Sequence, residues 1–175
     1  MTRILVAYGS KRGGTADLAA MIGDALTESG AGVSVSPARD IHNLTGFDAV
    51  VVAGALYANR WHRDARCFVR RNTDGLRRLP VWLVSSGPLD GSAAQRDIGP
   101  TSQVQKLIER VGARGHATFG GRLSPDATGF PARAMAKTKA GDWRDPAQVR
   151  RWAAAIIQQL QAPQPSRGYD ATAHR

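Results

Sequence analysis

The chain has 175 residues, enough for one domain, and 42% hydrophobic against 22% charged residues is a globular composition rather than a disordered, collagen-like or coiled-coil one. Lys and Arg number 24 against 14 Asp and Glu, and the resulting charge of +10 favours acidic ligands, acidic proteins, nucleic acid or anionic lipid without choosing among them. The longest apolar run, Ala49 to Ala58, falls well short of the ~20 residues of a membrane-spanning helix. With no signal-peptide pattern at the N-terminus, a cytoplasmic location is expected. One cysteine, Cys67, excludes an internal disulfide, and His42, His62, His116 and His174 have no zinc-type spacing, so no metal site is expected.

Arg3 to Tyr8 is a short apolar run ending at Gly9, and Thr15 to Ser29 carries Leu18, Ile22, Ala25 and Leu26 at helical spacing. Strand, glycine loop and helix follow in that order. Gly30 and Gly32 stop the helix, and Val33 to Ser36 reads as a brief second strand. Asp48 to Gly54 is a continuous β-branched run of the kind buried on both faces of a parallel sheet, and reads as the central strand. Arg63 to Asn72 forms a charged helix with Ala65, Phe68 and Val69 on its apolar side, and Val81 to Ser86 is the fourth strand. Ser102 to Val111 is the next helix, His116 to Leu123 a weaker fifth strand, and Val149 to Leu160 marks the last helix, with Asp145 as N-cap and Pro146 at N1. Residues 1–162 are thus expected to form one domain, with 163–175 a flexible tail lacking periodicity.

Strands alternating with helices predict an open α/β fold, a parallel five-stranded sheet of order 2-1-3-4-5 with helices on both faces. Ligands then sit beyond the carboxyl ends of the strands, where the loops after Tyr8, Gly54 and Ser86 converge. The first loop, Gly9 to Thr15, leads into a helix N-terminus, so its backbone N–H groups, the Ser10 and Thr15 hydroxyls and the helix dipole make a site for one phosphate. A nucleoside-triphosphate P-loop is disfavoured because Thr15 stands where lysine is required, and G-x-G-x-x-G is absent.

Y-G-S-K-R-G-G-T at Tyr8 to Thr15, between strand and amphipathic helix, resembles the phosphate loop of flavodoxins. Residues Val52 to Asn72 and G-D-W-R-D at Gly141 to Asp145 are similar to segments of the protoporphyrinogen oxidase branch of flavodoxin-domain proteins. The resemblance implies a flavodoxin-like fold binding FMN, with Ser10, Lys11, Arg12, Gly13, Gly14 and Thr15 around the phosphate. Arg12 replaces a threonine common in the family; its guanidinium either pairs with the phosphate or points into solvent. The second loop, Ala55, Leu56, Tyr57, Ala58, Asn59 and Trp61, is expected to border the flavin ring, with Tyr57 and Trp61 as its aromatics. Asn59 stands where relatives often carry glycine, and asparagine tolerates positive φ. The third loop, Ser85, Ser86, Gly87 and Pro88, would approach the ring from the other side and lacks the tyrosine many flavodoxins place there.

Seven arginines between Arg60 and Arg78 face only Asp64 and Asp74, a stretch suited to porphyrinogen carboxylates, an acidic redox partner or an anionic membrane surface, or to a solvated helix face. Cys67, beside Phe68, is expected to be buried. No catalytic residue can be assigned. The expected function is an FMN-dependent oxidoreductase, with protoporphyrinogen or a similar acid as the substrate the resemblance implies. The alternatives are an electron carrier for a partner enzyme and a non-catalytic binding module. Nucleic acid is disfavoured because the arginines lack interleaved aromatics.

Overall fold

A computed structural model describes residues 1–11, 13–128 and 132–162. The tail expected at 163–175 lies outside the described residues. Five parallel strands, β1 (Arg3–Gly9), β2 (Gly32–Pro37), β3 (Ala49–Tyr57), β5 (Val81–Ser86) and β6 (Gly115–Phe119), form a sheet of order β2-β1-β3-β5-β6. This is the expected 2-1-3-4-5 topology, with one short extra strand, β4 (Arg60–Trp61), pairing antiparallel to the end of β3.

Alternate residues of the central strands feed two cores. Val51 and Ala53 face α1 (Gly14–Glu28) and α7 (Pro146–Gln161), packed with Leu18, Ile22 and Ile156. Val50 and Val52 face α2 (Arg63–Arg71) and α5 (Ser102–Val111), packed with Phe68, Val104 and Leu107. Covering both faces is why these strands are uniformly apolar. Asp145 caps α7 as its position predicts, its Oδ1 accepting from the Ala147 N–H at 2.9 Å.

Three local expectations are corrected. The central strand runs on to Tyr57 and turns back through Ala58 and Asn59, with φ of 47° and 61°, so residues 55–61 are a hairpin rather than an open loop. Asn59 tolerates this conformation, as expected of asparagine; Ala58 adopts it without that help. The fifth strand stops at Phe119. Beyond Gly120 and Gly121, the pair β7 (Arg122–Leu123) leaves the sheet to form an antiparallel ribbon with β8 (Gly141–Asp142). Cys67 is exposed, because it sits on the face of α2 opposite Ala65, Phe68 and Val69. The short helices α3 (Thr73–Leu76), α4 (Ser92–Gln95) and α6 (Ala132–Lys139) carry too few periodic positions to read from sequence.

Candidate functional site

Parallel registry brings Gly9 opposite Gly54 and Ala55 opposite Ser86, so the carboxyl ends of β1, β3 and β5 open at one level. Above them lies a cavity of about 490 Å³, within the ordinary range for a cofactor or drug-sized ligand.

At one end stands the N-terminus of α1. Its N-cap, Gly13, has φ 83° and offers no side-chain acceptor, so the first-turn N–H groups have no capping partner among the described residues. The Ser10 hydroxyl oxygen accepts from the Gly13 N–H at 3.0 Å, which tightens the loop and leaves the hydroxyl proton free to donate. Thr15 is buried and lines the cavity with Ser10 and Gly14. Uncapped donors and hydroxyls facing a cavity fit a phosphate monoester. Lys11 is exposed and does not line the cavity, and Arg12 lies outside the described residues.

The walls come from the other two loops. Ala55, Leu56, Tyr57 and Ala58 line one side and Ser86, Gly87 and Pro88 the other. They approach closely: a Cβ at Gly87 would stand 3.0 Å from Leu56 Cδ1. Tyr57 is 38% exposed at the rim, its ring 6.3 Å from that of His62. Trp61, expected beside the ring, is only 1% exposed and does not line the cavity. Residues on β4 alternate sides, and Trp61 points down onto the carbonyl end of β3, where its indole fills the space a Gly54 side chain would need. Asn59 stands outside the cavity at the hairpin tip. Ser85 faces away from the cavity: it is buried and its Oγ bonds His116 Nε2 at 3.0 Å.

Sequence reasoning missed a fourth wall. Leu89 and Asp90, the ribbon residues Gly121, Arg122 and Leu123, and Ala132, Met135 and Lys139 of α6 close the far side. The lobe is fastened by backbone: Gly121 N–H donates to Pro88 O at 2.8 Å and Trp143 N–H to Gly121 O at 3.0 Å. The G-D-W-R-D segment supplies its anchor. Arg144 bonds Asp142, which holds that carboxyl below its usual range, and also pairs with Asp17 in the first turn of α1.

His62 is likewise a missed neighbour. It caps α2, its Nδ1 accepting from the Asp64 N–H at 3.2 Å, and packs against Gly9. Burial lowers its pKa; the positive charges of Arg66 and Lys11 act in the same direction and Asp64 opposes them. The basic stretch divides. Arg71 is structural, donating to Ala38 O at 2.6 Å and Ile41 O at 2.7 Å, whereas Arg60, Arg63, Arg66 and Arg70 form no ion pair among the described residues.

A family model described as "Flavodoxin domain" matches residues 5–140. The chain belongs to the flavodoxin domain family. Flavodoxins share its fold at low identity. A cysteine-to-serine mutant of flavodoxin from Pseudomonas aeruginosa is 18% identical, with 89% of this chain and 99% of that one covered at a TM-score of 0.57. An archaeal flavodoxin is 12% identical, with 92% and 100% covered at 0.62. Rubredoxin oxygen:oxidoreductase from Desulfovibrio gigas contains the fold as a part: identity is 15%, and 93% of this chain matches 38% of that one at 0.57. No curated protein sequence matches the chain significantly. No helix among the described residues of this flavodoxin domain is long and apolar enough to cross a membrane.

Proposed function

We propose that residues 1–162 form one unit that binds a single FMN noncovalently and passes electrons between it and a redox partner. The observation that carries this reading is the uncapped N-terminus of α1 opening into a cavity walled by the 55–58 hairpin arm and the 86–88 loop. Bound FMN would supply the one- and two-electron redox chemistry that no side chain here provides.

The chain's own residues do the rest. Ser10, Thr15 and the amides entering α1 hold the phosphate, and the helix dipole adds roughly half a positive charge to the same point. Leu56, Tyr57, Gly87 and Pro88 border the ring, and the absence of a side chain at Gly87 lets the third loop lie against Leu56. Leu89, Leu123 and Met135 keep water from the far wall. The unpaired Arg60, Arg63 and Arg70 begin at the hairpin and suit an acidic partner surface. Titrating flavin-free protein with FMN tests the reading: one equivalent is expected to quench flavin fluorescence, and absence of binding would favour a non-catalytic module instead.

A second reading has one observation in its favour. The apolar far wall carries Lys139 at its edge, chemistry suited to an apolar acid such as protoporphyrinogen. Oxidation of protoporphyrinogen by the FMN-loaded protein, with an added quinone accepting the electrons from the reduced flavin after each two-electron step and no other protein present, is the expected result under this reading; no turnover leaves the electron-carrier reading.

A further inference from the structure

The ribbon crosses the N-terminus of α1 closely enough that a Cβ at Gly14 would stand 3.3 Å from the Arg122 carbonyl oxygen. Arg122 lines the cavity alongside Ser10, Gly14 and Thr15. Its Nη1 donates to Asp17 Oδ2 at 2.8 Å, while the side chain remains 48% exposed, and its other N–H donors make no hydrogen bond among the described residues.

The same Asp17 oxygen is approached by Arg144 Nη1, 3.5 Å away. Arg144 is 9% exposed and commits Nε and Nη2 to Asp142, leaving Nη1 buried without a hydrogen bond. Two guanidinium groups therefore share one carboxylate oxygen, Arg122 at 2.8 Å and Arg144 at 3.5 Å. The one left without a hydrogen bond is buried, where an unmade bond costs most. If Arg122 turned to another anion, Asp17 would keep a cationic partner and Arg144 Nη1 would gain an acceptor. The exchange is cheap because both outcomes leave Asp17 paired.

We propose that Arg122 is a phosphate-binding residue of the flavin site, held by Asp17 in the free protein and handed to the phosphate when the cofactor enters, with Arg144 taking its place on Asp17. The assignment rests on the FMN reading above. It adds a cation from the ribbon, 105 residues from Asp17 in sequence, to a cradle whose described cavity-lining members, Ser10, Gly14 and Thr15, offer amides and hydroxyls. It gives the site a preference for FMN over riboflavin, which has the same ring and no phosphate. Asp126 and Asp142 also lie within electrostatic reach of Arg122 and limit the gain.

The test compares FMN with riboflavin, each titrated into flavin-free wild type, Arg122→Gln and Arg122→Lys, with apo melting temperatures measured in parallel. Arg122→Gln is expected to weaken FMN binding about tenfold, the effect of losing a charge-assisted contact, while leaving riboflavin binding unchanged. Arg122→Lys should recover part of the loss. Equal weakening of both flavins would show that Arg122 only braces the ribbon, and unchanged FMN binding would remove it from the site; either overturns the proposal and leaves the FMN reading standing. A wild type that binds neither flavin overturns both.

Discussion

The two ends of the cavity are built in opposite ways. The end at the N-terminus of α1 is built mainly from local sequence: Ser10, Gly13, Gly14 and Thr15 fall within one strand–loop–helix turn, against which the Arg122 backbone packs from the ribbon. The far wall is assembled at a distance, from a two-residue ribbon and an eight-residue helix whose tie to α1 joins Asp17 to Arg122 and Arg144. A cavity of this kind can keep the end at α1 fixed while its far wall varies.

Two glycine substitutions separate scaffold from lobe. In Gly54→Ala the new Cβ would overlap the indole of Trp61 in the central core, and overpacking there is expected to cost about 3 kcal/mol in denaturant unfolding. In Gly120→Ala the Cβ would overlap the Trp143 carbonyl, costing about 2 kcal/mol and loosening the lobe. FMN affinity should fall in the second variant. If both variants lost the same stability and the second bound FMN normally, the lobe would be neither separable nor part of the site.

Ser10→Ala combined with Thr15→Val probes the local end. FMN affinity should weaken by about 1–3 kcal/mol as two hydroxyl contacts to a charged group are lost, with little change in the melting temperature. An unchanged dissociation constant would place the phosphate elsewhere.

A smaller effect is expected beneath the cavity. Burial lowers the His116 pKa to about 4, below the ~6.5 of an unfolded histidine. Between these values the unfolded chain binds more protons, so stability is complete above about pH 6.5 and declines as pH falls toward 4. Because the ring is partly exposed, the contribution is about 1 kcal/mol. His116→Gln should flatten that segment of the stability curve; an unaltered slope would assign the acid sensitivity to other groups. Smallest of all, Cys67→Ser should change stability by less than about 0.5 kcal/mol, and the native thiol should react with a maleimide at once. A slow, unfolding-limited reaction would mean that the outer face of α2 is covered.

The difference between the two ends also explains what could be read from sequence. The strand order and the turn ahead of α1 are legible because uniformly apolar strands, amphipathic helices and a glycine-rich turn each leave a local signal. Leu5 to Ala7 and Val50 to Ala53 announce burial on both faces without reference to any partner. Two-residue strands have no alternation to detect, so β7 and β8 are invisible in the sequence, and the expected fifth strand runs through Gly120 and Gly121. That pair was the available clue, since adjacent glycines inside a strand pattern mark a break. That Trp61 lies off the cavity wall is not legible, because residue type signals an aromatic without saying which side of a two-residue arm it leaves from. The roles of Arg122 and Arg144 depend on contacts with Asp17, and no local pattern encodes a partner more than a hundred residues away.

An experimental structure of the protein with FMN tests the proposed cofactor site most directly. The phosphate is expected at the N-terminus of α1, within hydrogen-bond distance of Ser10, Thr15 and the amides between them, and the ring between Tyr57 and the 86–88 loop. A phosphate bound anywhere else, with the α1 N-terminus facing only water, would contradict that placement.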